Sequence, residues 1–137
     1  MNEPWNLHFF QRHPDDDRHR SVPARDFLDG LSDKVVAEIL AVLDAVSEAP
    51  PPAFSGGGKW EAMHGEMAGF YEVRVRGAGM NHRLFCLLER HADDLGGPSI
   101  VAIDGLTKPK RSAADSRDYR RAIRLRAEFV LRRTVLP

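Results

Sequence analysis

Hydrophobic and polar positions alternate from Trp5 to Phe9, placing Trp5, Leu7 and Phe9 on one face of a short strand. The polar stretch Gln11–Arg20, with Pro14 and the run Asp15-Asp16-Asp17, reads as a loop. The period then changes. Pro23 suits the first turn of a helix, where its missing N–H costs nothing, and that helix should stop near Gly30. Ser32 is an N-cap candidate for a second helix. Leu28, Leu31, Val35, Ile39, Val42 and Val46 follow three or four residues apart, the spacing of one buried helical face. An αα-hairpin turning at Asp29-Gly30 and packing on a sheet is the expected unit. Pro50-Pro51-Pro52 ends it. Ser55-Gly56-Gly57-Gly58 reads as a flexible connector, because Lys59 is followed by Trp60 and not by the Ser or Thr of a phosphate loop.

The next region is β in pattern. Tyr71, Val73 and Val75 alternate with Glu72, Arg74 and Arg76. A turn at Gly77–Asn81 leads to the more apolar strand His82–Leu88, and a turn at Asp93–Pro98 leads to the strand Ile100–Ile103. Short Gly-rich connections favour an antiparallel meander. From about Ala114 to Arg133 the pattern is helical, with Tyr119, Ile123, Ala127 and Val130 as its apolar stripe. Asp115 and Asp118 near its start and arginines toward its end suit the helix dipole.

At 137 residues with 42% hydrophobic positions, the chain suits a single domain. No apolar run approaches membrane-spanning length. Met1–Phe10 lacks the basic region and long apolar stretch of a secretory signal. These features imply a soluble, cytoplasmic location. The lone cysteine, Cys86, sits in an apolar strand and reads as a structural thiol. The six histidines show no ligand spacing, so no metal is expected, although His64 or His82 is a candidate acid or base. Adjacent aspartates at 15–17 converge poorly on an ion and read as solvated loop.

The zero net charge conceals an asymmetry: residues 1–50 carry ten acidic and five basic side chains, whereas residues 106–137 carry ten basic and three acidic. A basic C-terminal third is a candidate polyanion surface, and equally a solvated helix or a site for an acidic protein. Arg74 and Arg83, on successive strands, can meet on one face, with Lys108 and Lys110 starting where the third strand ends. Such a cluster suits a phosphodiester, since fixed guanidinium groups hold the phosphate and stabilise charge developing on its oxygens. Glu72 or Asp104 can equally satisfy these arginines internally.

Four segments, in order, resemble the RelE/HigB (RelE/ParE superfamily) toxins of bacterial type II toxin–antitoxin systems, particularly the phage-related HigB-like branch. Phe27-Leu28-Asp29-Gly30-Leu31 before Asp33-Lys34-Val35 is similar to "eFLdsLpdk". Gly69–Val75 is similar to "glYELRv", and Asn81-His82-Arg83-Leu84-Phe85 to "yRifY". Ile103–Lys110 is similar to "LhgFvKKtqk". The resemblance implies an α+β fold, with two N-terminal helices on a small twisted, mainly antiparallel sheet and a basic C-terminal helix. It implies a ribosome-dependent mRNA endonuclease that cleaves by 2′-OH attack without metal or cofactor and inhibits translation. Its partners would be the ribosome, mRNA and an antitoxin, a helix-turn-helix protein.

Carried over by position, Arg83 is the transition-state stabiliser, Arg74 binds phosphate, and Lys108 matches the first lysine of the "KK" pair. Pro109 replaces the second lysine, so Lys110 would take its role. Arg76, Arg111 and Tyr119 are the substrate-binding candidates, with Tyr119 able to stack on a base. Asp104 stands where the family has His, Cys86 where it has Tyr, and the loop His91–Pro98 is longer. The alternatives are a ParE-like inhibitor of DNA gyrase and a binding module of the same fold with weakened catalysis.

Overall fold

The structure, a computed structural model, describes residues 3–50, 58–113 and 116–136. The elements run β1 (Asn6–Phe10), α1 (Pro23–Asp29), α2 (Asp33–Glu48), β2 (Trp60–Ala62), β3 (Phe70–Gly77), β4 (Met80–Glu89), β5 (Ser99–Pro109), α3 (Ser116–Arg132) and β6 (Val135–Leu136). The fold is α+β. Its six strands form an open sheet in the order β2-β3-β4-β5-β1-β6. Every pairing is antiparallel except that of β1 with β5.

The helical hairpin forms as its pattern predicts. Pro23 opens α1, and the Gly30 N–H closes its C-terminus on the Phe27 carbonyl. The Ser32 hydroxyl accepts from the Val35 N–H at 3.3 Å and caps α2. Val35, Ile39, Val42 and Val46 of α2 pack with Val73, Val75, Leu84, Cys86, Ile100 and Ala102 on one sheet face. Helix α1 lies directly over β5. A Cβ on Gly105 would fall 2.1 Å from the Phe27 ring, so only glycine permits this approach.

The opposite face belongs to α3. Phe10, Phe70, Phe85, Leu87, Val101 and Ile103 pack there against Ala122, Leu125 and Phe129. This corrects the predicted stripe. Tyr119 and Ile123 are partly buried, but Ala127 is exposed and Val130 is 64% exposed. At 3.6 residues per turn, positions 122, 125 and 129 lie on a flank of the helix roughly a third of a turn from the expected stripe, and it is that flank the sheet covers.

The strands are longer than their sequence signals. β4 begins at Met80 and not His82, because Ala78 and Gly79, both at positive φ, make a two-residue hairpin turn. β5 runs past Ile103 to Pro109, so Lys108 lies within the strand and not beyond it. Its polar half pairs with β4, with a bulge at Phe85/Cys86. β2 and β6, of three and two residues, are too short to show alternation and leave no signal in the pattern. The connector Ser55–Gly57 and Asp115 lie outside the described residues.

The aspartate run is anchored, not merely solvated. Asp17 accepts from the backbone N–H groups of His19 and Ser21, each at 3.0 Å, and Arg132 reaches Asp15 and Asp16, both at 3.7 Å. Hydrogen bonds from Ser21, then His19, hold the Asp17 carboxyl at about 2, below its ordinary 3.8. The folded value is the lower one, so this carboxylate stabilises the fold above pH 3.8 and ceases to as pH falls through about 2. Asp17→Ala should therefore lower Tm at neutral pH, with the variant and parent curves converging as the pH approaches 2. Parallel Tm curves across that range would remove Asp17 from the account.

Candidate active site beneath the C-terminal helix

Strand register places the arginines. Arg74 on β3 lies directly opposite Arg83 on β4, which lies opposite Leu106 on β5. Side chains alternate, so these two arginines share with Glu72 and Phe85 the face covered by α3. Like charges directly opposite are unfavourable unless something lies between them. Glu72 does, and it is buried. Arg74 Nε forms an ion pair with Glu72 Oε1 at 2.8 Å, and Arg83 Nη1 stands 3.9 Å from Glu72 Oε2. Glu61 on β2 adds a 4.0 Å contact to Arg74.

Helix α3 closes the other side. Arg83 Nη1 donates to the Tyr119 hydroxyl oxygen at 3.4 Å, and the Tyr119 ring meets Phe85 edge-on at 5.8 Å. Burial raises the Tyr119 phenol above its ordinary value, against the nearby Arg83 charge. The hydroxyl is thus neutral at pH 7. Because its oxygen accepts from Arg83, its proton is available to another acceptor. The Arg83 side chain is 14% exposed and that of Arg74 43%, so one guanidinium is seated and the other faces outward. Arg74, Arg76, Asn81, Arg83 and Lys59 line a cleft of about 490 Å³. Lys59 has no sequence signal of its own beyond its place after the glycine run, and only the fold brings it to the cleft.

The remaining cations separate. Lys108 lies diagonal to Arg83 across β4 and β5, but Nζ donates to Asp118 at 2.8 Å and to the Ala113 carbonyl at 3.3 Å. It anchors the start of α3. Lys110 is exposed past the end of β5, where its N–H donates to the Gly79 carbonyl at the hairpin tip. Arg111 is exposed in the turn that follows. Neither joins the Arg74–Arg83 cluster. Asp104, which would repel an anion if unpaired, receives two hydrogen bonds from Arg121, at 2.9 and 2.5 Å. That bond raises the Arg121 guanidinium further above its ordinary value.

The basic third of the chain is largely spent within the fold. Arg133 pairs with Glu89 and Asp94, Arg132 with Asp15 and Asp16, and Arg126 lies over the Phe70 ring while donating to the Ala68 carbonyl. Arg12 of the N-terminal loop pairs in turn with Glu128. The charge asymmetry between the two ends is therefore partly complementarity between them.

His82 lies on the opposite sheet face, with Nδ1 2.9 Å from the Thr107 hydroxyl, and His64 is exposed outside the cluster. Cys86 is buried, and burial pushes its thiol up, which keeps it protonated and inert. Among the described residues no group of three His, Cys, Asp or Glu side chains converges as a metal site. No helix among them is long and apolar enough to cross a membrane. Compared with protein-family models, curated proteins and solved structures, the chain finds no match.

Proposed function

We propose that this chain is a RelE/HigB-type toxin, a ribosome-dependent endonuclease of mRNA that works in the cytoplasm and is restrained by a cognate antitoxin. The observation that carries the reading is the pairing of Arg74 and Arg83 across β3 and β4, with the Tyr119 hydroxyl on Arg83. Two forked guanidinium groups side by side match the oxygens of one phosphodiester, and a seated arginine stabilises charge gained in the transition state without reorganising. Helices α1 and α2 on one face of the sheet and α3 on the other accord with a RelE-like arrangement. Metal-free attack by the ribose 2′-OH is the chemistry that these groups suit. Arg76 and Lys59 would hold flanking phosphates. Asp104 does not count against an RNA ligand, because Arg121 neutralises it.

Induced expression in a bacterial host, with mRNA 5′ ends mapped within minutes, tests the reading. New cuts confined to translated messages, falling in frame, are expected. Growth arrest without cuts would replace the nuclease with an inhibitor of gyrase or another target. Neither arrest nor cuts, with folded protein free of antitoxin, would leave a binding module.

A further inference from the structure

The cleavage reaction needs a group that accepts the 2′-OH proton, and the Arg74–Arg83 cluster contains few. Arginine does not deprotonate at working pH. Lys108 is committed as a donor to Asp118 and Ala113. The Tyr119 phenol is raised by burial and stays neutral. His82 faces the other side of the sheet. Lys59 is a cation on the cleft wall, and Glu61 is half exposed and touches only the outer arginine, Arg74, at 4.0 Å. Glu72 is the carboxylate that reaches both arginines, and its two oxygens differ. Oε1 is engaged by Arg74 Nε, whereas Oε2 is buried with no hydrogen-bond partner. A buried carboxylate oxygen without a donor is costly, and in a native fold it is accounted for by an ordered water or ion, by strain or by a catalytic role; between two arginines on a cleft, the catalytic role is the one with chemistry to serve.

We propose that Glu72 is the general base of this site, with Oε2 as the accepting atom, an inference that rests on the RNA-cleaving reading above. The substrate phosphate sits on Arg74 and Arg83 as they stand, and the ribose hydroxyl approaches Oε2 beside them. Oε2 removes the 2′-OH proton as O2′ bonds to phosphorus. The P–O5′ bond breaks, and O5′ leaves with the electron pair and takes a proton from the Tyr119 hydroxyl. The products are a 2′,3′-cyclic phosphate and a 5′-hydroxyl end, and the proton on Glu72 returns through solvent to Tyr119. The groups facing Glu72 are Glu61 from β2, Arg74 on its own strand, Arg83 from β4 and Tyr119 from α3.

The test is single-turnover cleavage of a defined mRNA on programmed ribosomes by the full chain, with binding to those ribosomes measured separately. Glu72→Gln should cleave about 10²- to 10⁴-fold more slowly, the usual share of a general base. It should bind no more weakly, since a negative charge beside the phosphate has gone. The tenfold rise in rate per pH unit on the acid side should vanish. Cleavage within a few-fold of the parent would overturn the proposal. So would a loss of binding equal to the loss of rate, because Glu72 would then only position Arg74. If Glu72→Gln does not fold, Glu72→Asp decides. It should be slower yet keep the acid-side slope, and a flat profile would overturn the assignment. A parent chain that binds programmed ribosomes without cutting overturns the nuclease reading, and this inference with it.

Discussion

Arg83→Ala is expected to reduce cleavage of ribosome-bound mRNA by about 10²- to 10³-fold, the range found when one preorganised donor to a developing oxyanion is removed. The size follows from where Arg83 sits. It is the more buried of the paired guanidiniums, held between Glu72 and Tyr119, so its position is set before substrate arrives. Arg83→Lys should recover part of the loss, because a point charge replaces the fork without its two-pronged geometry. Arg76→Ala, at an exposed position on the cleft wall, should mainly weaken binding and reduce its salt dependence. Circular dichroism and Tm guard against a trivial loss of fold. Undiminished cleavage by a folded Arg83→Ala protein would remove the central residue of the site and leave the phosphate reading without support.

Phe129→Ala should cost about 3–5 kcal/mol of stability, as truncation of a buried aromatic does. Phe129 is completely buried, meets Phe10 edge-on at 6.0 Å and anchors α3 over the sheet. Domains of this size are stable by only about 5–15 kcal/mol, so the variant should unfold at much lower urea. Val130→Ala, one residue along but largely exposed, should change stability by no more than about 0.5 kcal/mol. Urea midpoints for the pair check how α3 is rotated. The reverse order would mean that Val130 faces the sheet, and the Tyr119–Arg83 contact would be lost with that rotation. Loosening α3 should also impair the site, since Tyr119 and Asp118, which holds Lys108 of β5, lie in its first turn.

Together the two results separate chemistry from scaffold. Arg83→Ala should slow cleavage in a protein of unchanged stability, whereas Phe129→Ala should lower the stability of the fold itself. Both rest on one geometric fact: α3 crosses the sheet face on which β3 and β4 present their arginines.

The sequence alone determined the parts whose signals are local. Pro23, Gly30 and Ser32 bound the helices because capping is settled within a few residues. The α2 stripe faces the core because helical period and burial coincide there. Alternation along β3 sets Glu72, Arg74 and Arg76 on one face, which follows from the two-residue period of a strand. Roles for Arg74, Arg83 and Lys108 were expectations from the resemblance, which local patterning does not supply.

Tertiary structure decided what depends on residues far apart in the chain. Whether an arginine is free or paired is set by its neighbours in space, so Lys108 and Arg121 proved committed to Asp118 and Asp104. The basic C-terminal third reads as a polyanion surface, yet Arg12–Glu128 and the contacts of Arg132 with Asp15 and Asp16 join it to the acidic N-terminal segment. Arginines surround the apolar positions of α3, so its pattern admits more than one stripe, and only the sheet beneath selects Phe129 over Val130. Glu72 is the sharpest case. Its place in the strand is a matter of period, but the state of its two oxygens depends on β4 and α3. Charge and hydrogen bonding are properties of a neighbourhood, and only the folded chain brings that neighbourhood together.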